Sequence, residues 1–113
     1  MKKRVFSLVL LAIMVLSITA QARFSENYPY LEINGTTATC EVFYKSKNSN
    51  DKVKVTLALW CGENIVDSWT DTGTGEVSIS ETCTVVRGNT YTLVMMPVVN
   101  GVAKPTVSVT ANS

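Results

Sequence analysis

From Tyr30 onward, apolar and polar residues alternate with a period of two in short segments set apart by turn residues, with no 3.6-residue helical period. The pattern predicts seven strands: Tyr30–Asn34, Thr36–Tyr44, Lys52–Cys61, Asn64–Thr70, Glu76–Val85, Thr90–Pro97 and Val102–Thr110. Asn34-Gly35 and Asn100-Gly101 read as tight hairpins, because both central positions of a type I′ turn need positive φ. Lys45–Asp51 reads as a solvated loop, and Gly62-Glu63, Asp71–Gly75 and Arg87-Gly88-Asn89 as turns. The faces expected to point inward carry Ala38, Cys40, Val42 and Tyr44, then Val53, Val55, Leu57, Leu59 and Cys61. Val77 and Ile79 follow on the fifth strand, and Tyr91, Leu93 and Met95 on the sixth. Pro105 cannot donate to a ladder, so it places the seventh strand at an edge or a bulge.

Seven short alternating strands, with turns every 8–12 residues or so, predict an all-β fold: an immunoglobulin-like antiparallel β-sandwich. A small up-and-down β-barrel is the alternative. Gly88-Asn89-Thr90-Tyr91 favours the sandwich, since a tyrosine opening the penultimate strand suits the tyrosine corner of such folds.

The chain before this region has a different pattern. Met1-Lys2-Lys3-Arg4 is cationic, and Val5 to Ile18 is apolar apart from Ser7 and Ser17. Thr19-Ala20-Gln21-Ala22 then places small residues three back and one back from a cut between Ala22 and Arg23. This is the order of a secretory signal peptide, and the apolar run falls short of the roughly 20 residues of a membrane span. The reading is therefore residues 1–22 as signal peptide, residues 23–113 as one domain, and a secreted product with neither lipid nor wall anchor. Lys and Arg total 10 against 9 Asp and Glu; without Lys2, Lys3 and Arg4 the balance becomes 7 − 9 = −2. The remaining domain has no general basicity to attract nucleic acid or anionic membranes.

Three cysteines in an oxidising compartment suggest one disulfide and one free thiol. With strands alternating up and down, Cys61 and Cys83 fall near one pole. Cys40 is placed four residues from its strand end, roughly 13 Å away at about 3.3 Å per residue. A disulfide needs Cα atoms within about 7 Å, so Cys61–Cys83 is the expected pair. No histidine is present, which removes the commonest general base and every Ser-His or Cys-His pair. Without histidine or Cys-x-x-Cys, no zinc site is expected either. Asp71-Thr72-Gly73 spells an aspartic-protease tripeptide, but follows Ser68-Trp69-Thr70 instead of a buried apolar strand, and reads as a turn. A calcium loop on Asp67 and Asp71 lacks the ladder of oxygen ligands. No enzyme activity and no cofactor is expected.

One surface feature stands out. If Gly62-Glu63 is the hairpin turn, Trp60 opposes Ile65, Ala58 opposes Asp67 and Thr56 opposes Trp69. Trp60, Ile65 and Trp69 would then share an outer face, and exposed aromatic patches mark binding sites. The stronger competing expectation is core or half-buried packing for at least one tryptophan, as when a one-residue bulge turns Trp60 into the core.

Gly35-Thr36-Thr37-Ala38-Thr39-Cys40, Val53-Lys54-Val55-Thr56 leading to Leu59-Trp60, Val66-Asp67-Ser68-Trp69-Thr70, and Val86-Arg87-Gly88-Asn89-Thr90-Tyr91 with Asn100-Gly101 together carry a resemblance. The chain resembles a group of small secreted proteins of Gram-positive, clostridial-type bacteria. The resemblance implies a secreted β-sandwich and transfers no site residues. The expected function is a non-catalytic binding or adhesion module for a cell-surface protein or glycan, a monomer or weak dimer. The alternative is a small secreted antibacterial or toxin-like effector.

Overall fold

A computed structural model describes residues 26–113; the expected signal peptide and the Ala22–Arg23 cut lie outside the described residues. The described chain forms strands β1 (Tyr30–Asn34), β2 (Thr37–Lys45), β3 (Lys52–Cys61), β4 (Asn64–Thr74), β5 (Glu76–Thr84), β6 (Thr90–Val99), β7 (Val102–Ala103) and β8 (Val107–Asn112). One antiparallel sheet has the order β1-β2-β5. The other has β4-β3-β6, with β7 and β8 sharing the far side of β6. The two sheets pack face to face as the immunoglobulin-like sandwich that the alternation predicts.

The alternating faces do what their pattern requires. Ala38, Cys40 and Val42 of β2, Val53, Val55, Leu57 and Leu59 of β3, Val77 and Ile79 of β5, and Tyr91, Leu93 and Met95 of β6 form one buried cluster. Burying a side chain of the Val, Leu or Met class stabilises by about 1.5–3 kcal/mol, so these strands are held chiefly by that face.

Tyr91 completes the expected corner. It is buried, and its hydroxyl accepts from the Val86 N–H at 2.8 Å and donates to the Val86 C=O at 3.1 Å. The Ser113 hydroxyl donates to the same carbonyl at 2.6 Å, tying the C-terminal residue to the β5–β6 connection.

Several strand ends shift by one or two residues from the sequence reading, and at two places the difference is larger. The polar turn expected over Asp71–Gly75 is strand as far as Thr74, because β3 offers partners along its whole length, down to Lys52↔Thr74. The chain then crosses between sheets at a single residue, Gly75. Its φ is +83°, its N–H donates to Asp51 C=O at 2.8 Å, and its C=O accepts from Ser46 N–H at 2.9 Å. A Cβ there would meet the Ser49 carbonyl at 2.8 Å, and one on Gly73 would meet the Glu76 carbonyl at 2.2 Å.

The seventh predicted strand is split into β7 and β8 by Lys104–Thr106. Pro105 supplies half of the reason. The other half is Pro97, fully buried within β6 opposite Val55. Its C=O accepts from Lys104 N–H at 2.9 Å, so its nitrogen faces the same edge, where it has no proton to give. The ladder fails at this point, and the edge strand leaves and returns as β8.

Tyr91→Phe leaves Val86 without its hydroxyl partner and is expected to cost about 1–2 kcal/mol in urea unfolding, with the fold retained. Gly75→Ala combines a left-handed φ with a backbone clash. It is expected to cost about 2 kcal/mol or more, measured the same way.

Candidate functional site

The outer face of the five-stranded sheet is built by elimination. In β3 the inward side chains are Val53, Val55, Leu57 and Leu59, so Lys52, Lys54, Thr56, Ala58 and Trp60 point away from the core. In β6 the inward set is Tyr91, Leu93, Met95, Pro97 and Val99, which turns Thr92, Val94, Met96 and Val98 outward. Register brings these residues side by side: Trp60↔Thr92, Ala58↔Val94, Thr56↔Met96 and Lys54↔Val98. On the β4 side, Ile65 faces Trp60 and is 53% exposed.

An apolar stripe therefore runs from exposed Ile65 and half-buried Trp60 to Val94, Met96 and Val98, each half-buried, with Ala58 between them already buried. A face meant only for water would carry polar residues at these positions, as β4 does with Ser68, Thr70 and Thr72. At the far end, about 20 Å from Trp60 at 3.3 Å per residue, lies a shallow depression of about 420 Å³. Lys52, Lys54, Thr72, Thr74 and Val98 line it, so the stripe ends beside two lysines.

Trp60 and Ile65 oppose each other as the sequence predicts, but Trp69 does not join them. The register slips between Leu59 and Trp60, where Val66 is an extra residue on β4. Beyond this bulge every β4 residue moves to the other face: Asp67 opposes Leu59 instead of Ala58, and Trp69 opposes Leu57 instead of Thr56. Trp69 consequently packs, partly buried, against the core, while Trp60 stays half-buried on the outer face. The sequence alone puts Trp60 forward as the residue a bulge would turn inward. The bulge falls on β4 instead, because β3 must keep an unbroken ladder with β6 on its other side. Val94, Met96 and Val98 went unread as site residues, although the run Leu93–Val99 is apolar at outward as well as inward positions.

The cysteines also differ from expectation. All three are free, and Cys61–Cys83 is not a bonded pair. Cys83 lies opposite Ala38 on the neighbouring strand, which puts Cys40 only one step diagonally from it, while Cys61 belongs to the other sheet. Counting residues from each strand's own end misplaced Cys40, because it ignored how β2 and β5 align. Burial above all, then the adjoining Cys83 thiol, pushes Cys40 up to about 12. Burial also raises Cys83 and the nearby Asp67 carboxylate adds to the rise, while the hydrogen bond from Cys40 opposes it.

At the Lys45–Asp51 pole, Asp51 accepts hydrogen bonds from the Ser46 hydroxyl and, at 3.0 Å, from Asn100 Nδ2. These bonds, the Ser46 one foremost, hold its carboxyl below the ordinary 3.8. Asn100 Oδ1 in turn accepts from Lys52 N–H at 2.8 Å, so Asp51 joins the loop to the β6–β7 hairpin. A polar bowl of about 500 Å³ lies between them, with Lys45, Lys47 and Lys104 on its wall. Among the described residues no three His, Cys, Asp or Glu side chains converge as a metal cage.

Trp69→Ala is expected to cost about 2 kcal/mol or more through lost packing, and Trp60→Ala less than about 1 kcal/mol, both read by urea unfolding. The Asp51 links are present above the unfolded carboxyl value near 3.8 and are lost as pH falls through the lower folded value. Amide signals of Ser46 and Lys52 are therefore expected to shift together on acidification below that range, and not to do so in Asp51→Asn. Comparison with protein-family models and with curated proteins finds no match for the chain.

Proposed function

We propose that this protein is a secreted, non-catalytic binding module whose outer β4-β3-β6 face docks on a protein at a cell surface. The observation that carries the reading is the stripe of Trp60, Ile65, Val94, Met96 and Val98 on a sheet face that has no second layer among the described residues. Apolar and aromatic side chains at the centre of a face with charged groups at its border are the composition of a protein contact. The turning away of Trp69 favours a protein over a sugar, since it leaves one tryptophan among aliphatic side chains instead of a paired aromatic platform. Lys52 and Lys54 suit a partner with carboxylates beside its apolar patch. Secretion rests on the signal-peptide pattern of residues 1–22.

Protein produced from the full-length chain, with leader processing left to the expressing cell, is applied to intact bacterial cells, protease-treated cells and insoluble polysaccharides. The expected result is saturable retention on cells that protease treatment removes. Trp60→Ala/Ile65→Lys is expected to weaken it by about tenfold or more with the fold intact by circular dichroism. Retention that survives protease and extends to polysaccharide would point to a glycan. Absence of retention, with growth inhibition of the same cells, would replace the reading with an antibacterial effector.

A further inference from the structure

β2 and β5 pair in register from Thr37↔Thr84 to Lys45↔Glu76, with Ala38 directly opposite Cys83. Cys40 is two residues beyond Ala38 and therefore on the same face, the inward one. Both cysteines join the core cluster, Cys40 fully buried and Cys83 partly buried near the end of β5. Register and facing therefore make the two side chains diagonal neighbours on one face of adjacent strands. A cysteine packing only as a small hydrophobe would need no second cysteine beside it.

We infer that Cys40 and Cys83 form a redox site, a dithiol that closes to a cross-strand disulfide by exchange with a small or protein disulfide oxidant. The inference is independent of the docking face, which lies on the other sheet. The two sulfurs have distinct parts. Cys83 is the more accessible, so its sulfur meets the oxidant first: having lost its proton to solvent, it attacks, forming a mixed disulfide and expelling one thiolate. Cys40, losing its proton to solvent, then attacks the Cys83 sulfur and expels the second thiolate. In sum, two protein thiols and one oxidant disulfide become one protein disulfide and two small thiols.

Diagonal neighbours across antiparallel strands lie about 7–8 Å apart at Cα, slightly beyond the usual disulfide span of about 4.4–6.8 Å. Closure must draw the strand end at Cys83–Thr84 toward β2. A bond made under such tension is readily reduced, which suits a reversible site better than a permanent staple. The bond would close a segment of 83 − 40 = 43 residue steps that contains β3 and β4, so it restrains much of the unfolded chain.

The test equilibrates the full-length product with graded mixtures of oxidised and reduced glutathione, alkylates the remaining thiols, and digests with trypsin and a glutamate-specific protease. The cuts leave each cysteine on its own fragment: 33–41, 55–63 and 82–87. The expected product is about 2 Da lighter than the dithiol, links 33–41 to 82–87, and carries alkylated Cys61. It melts about 5 °C or more above the reduced form, and dithiothreitol reverses the change. Cys61→Ser keeps the link and Cys83→Ser abolishes it; because Cys83 is only partly buried, that variant serves if Cys40→Ser does not fold. A link through 55–63, three alkylated thiols at every ratio, or glutathione retained on Cys83 without closure onto Cys40 would each overturn the inference.

Discussion

Leu57, Leu59, Leu93 and Met95 meet, almost wholly buried, where β3 and β6 face β2 and β5. The side chains on this plane must stay dry, and the remaining structure accommodates that requirement. β3 cannot slip against β6 without moving a leucine to water, so the irregularity required by the β3–β4 hairpin is displaced onto the edge strand at Val66. The crossing between sheets is confined to Gly75, where the backbone turns within contact distance of Ser49. The buried Pro97 keeps its place in the core, and the edge opposite it gives up the pairing.

That division between an unyielding centre and an accommodating edge also shapes the surface. The outer face of β3 and β6 inherits a rigid register from the buried face behind it, so Trp60, Val94 and Met96 are presented at fixed spacing. β4 carries the bulge and the polar residues. A recognition surface built on a central strand pair loses less conformational freedom on binding than one built on loops, because its backbone is already ordered. On the other sheet Cys40 lies mid-strand in the core, while Cys83 sits one residue from the end of β5.

Much of the architecture was legible in the chain. Period-two alternation marked the inward faces of β2, β3, β5 and β6, and nearly all of those residues belong to the core. Asn100-Gly101 and Tyr91 announced their hairpin and corner, since each depends on a local backbone preference or a bond spanning a few residues. At the first hairpin the turn is one residue later than expected, Gly35-Thr36, because Asn34 stays in β1 paired with Thr37 and only Gly35 has positive φ. The candidate site was half legible: Trp60 and Ile65 are hairpin neighbours close to their turn, and their pairing survives. Trp69, four residues further on, was misassigned because one inserted residue reverses the facing of everything beyond it. Val94, Met96 and Val98 escaped notice because a strand apolar on both sides reads simply as buried.

The sequence by itself determined the strands, their inward faces and their turns, because alternation and turn chemistry act over two to four residues. Only the tertiary structure decided which strands became neighbours and in what register. Those choices turned Trp69 inward, broke the last strand opposite Pro97, and set Cys40 beside Cys83 instead of leaving Cys83 to Cys61. The reason is physical: register is chosen by the joint burial of residues distant in the chain, and the identity of any single residue carries almost none of that information.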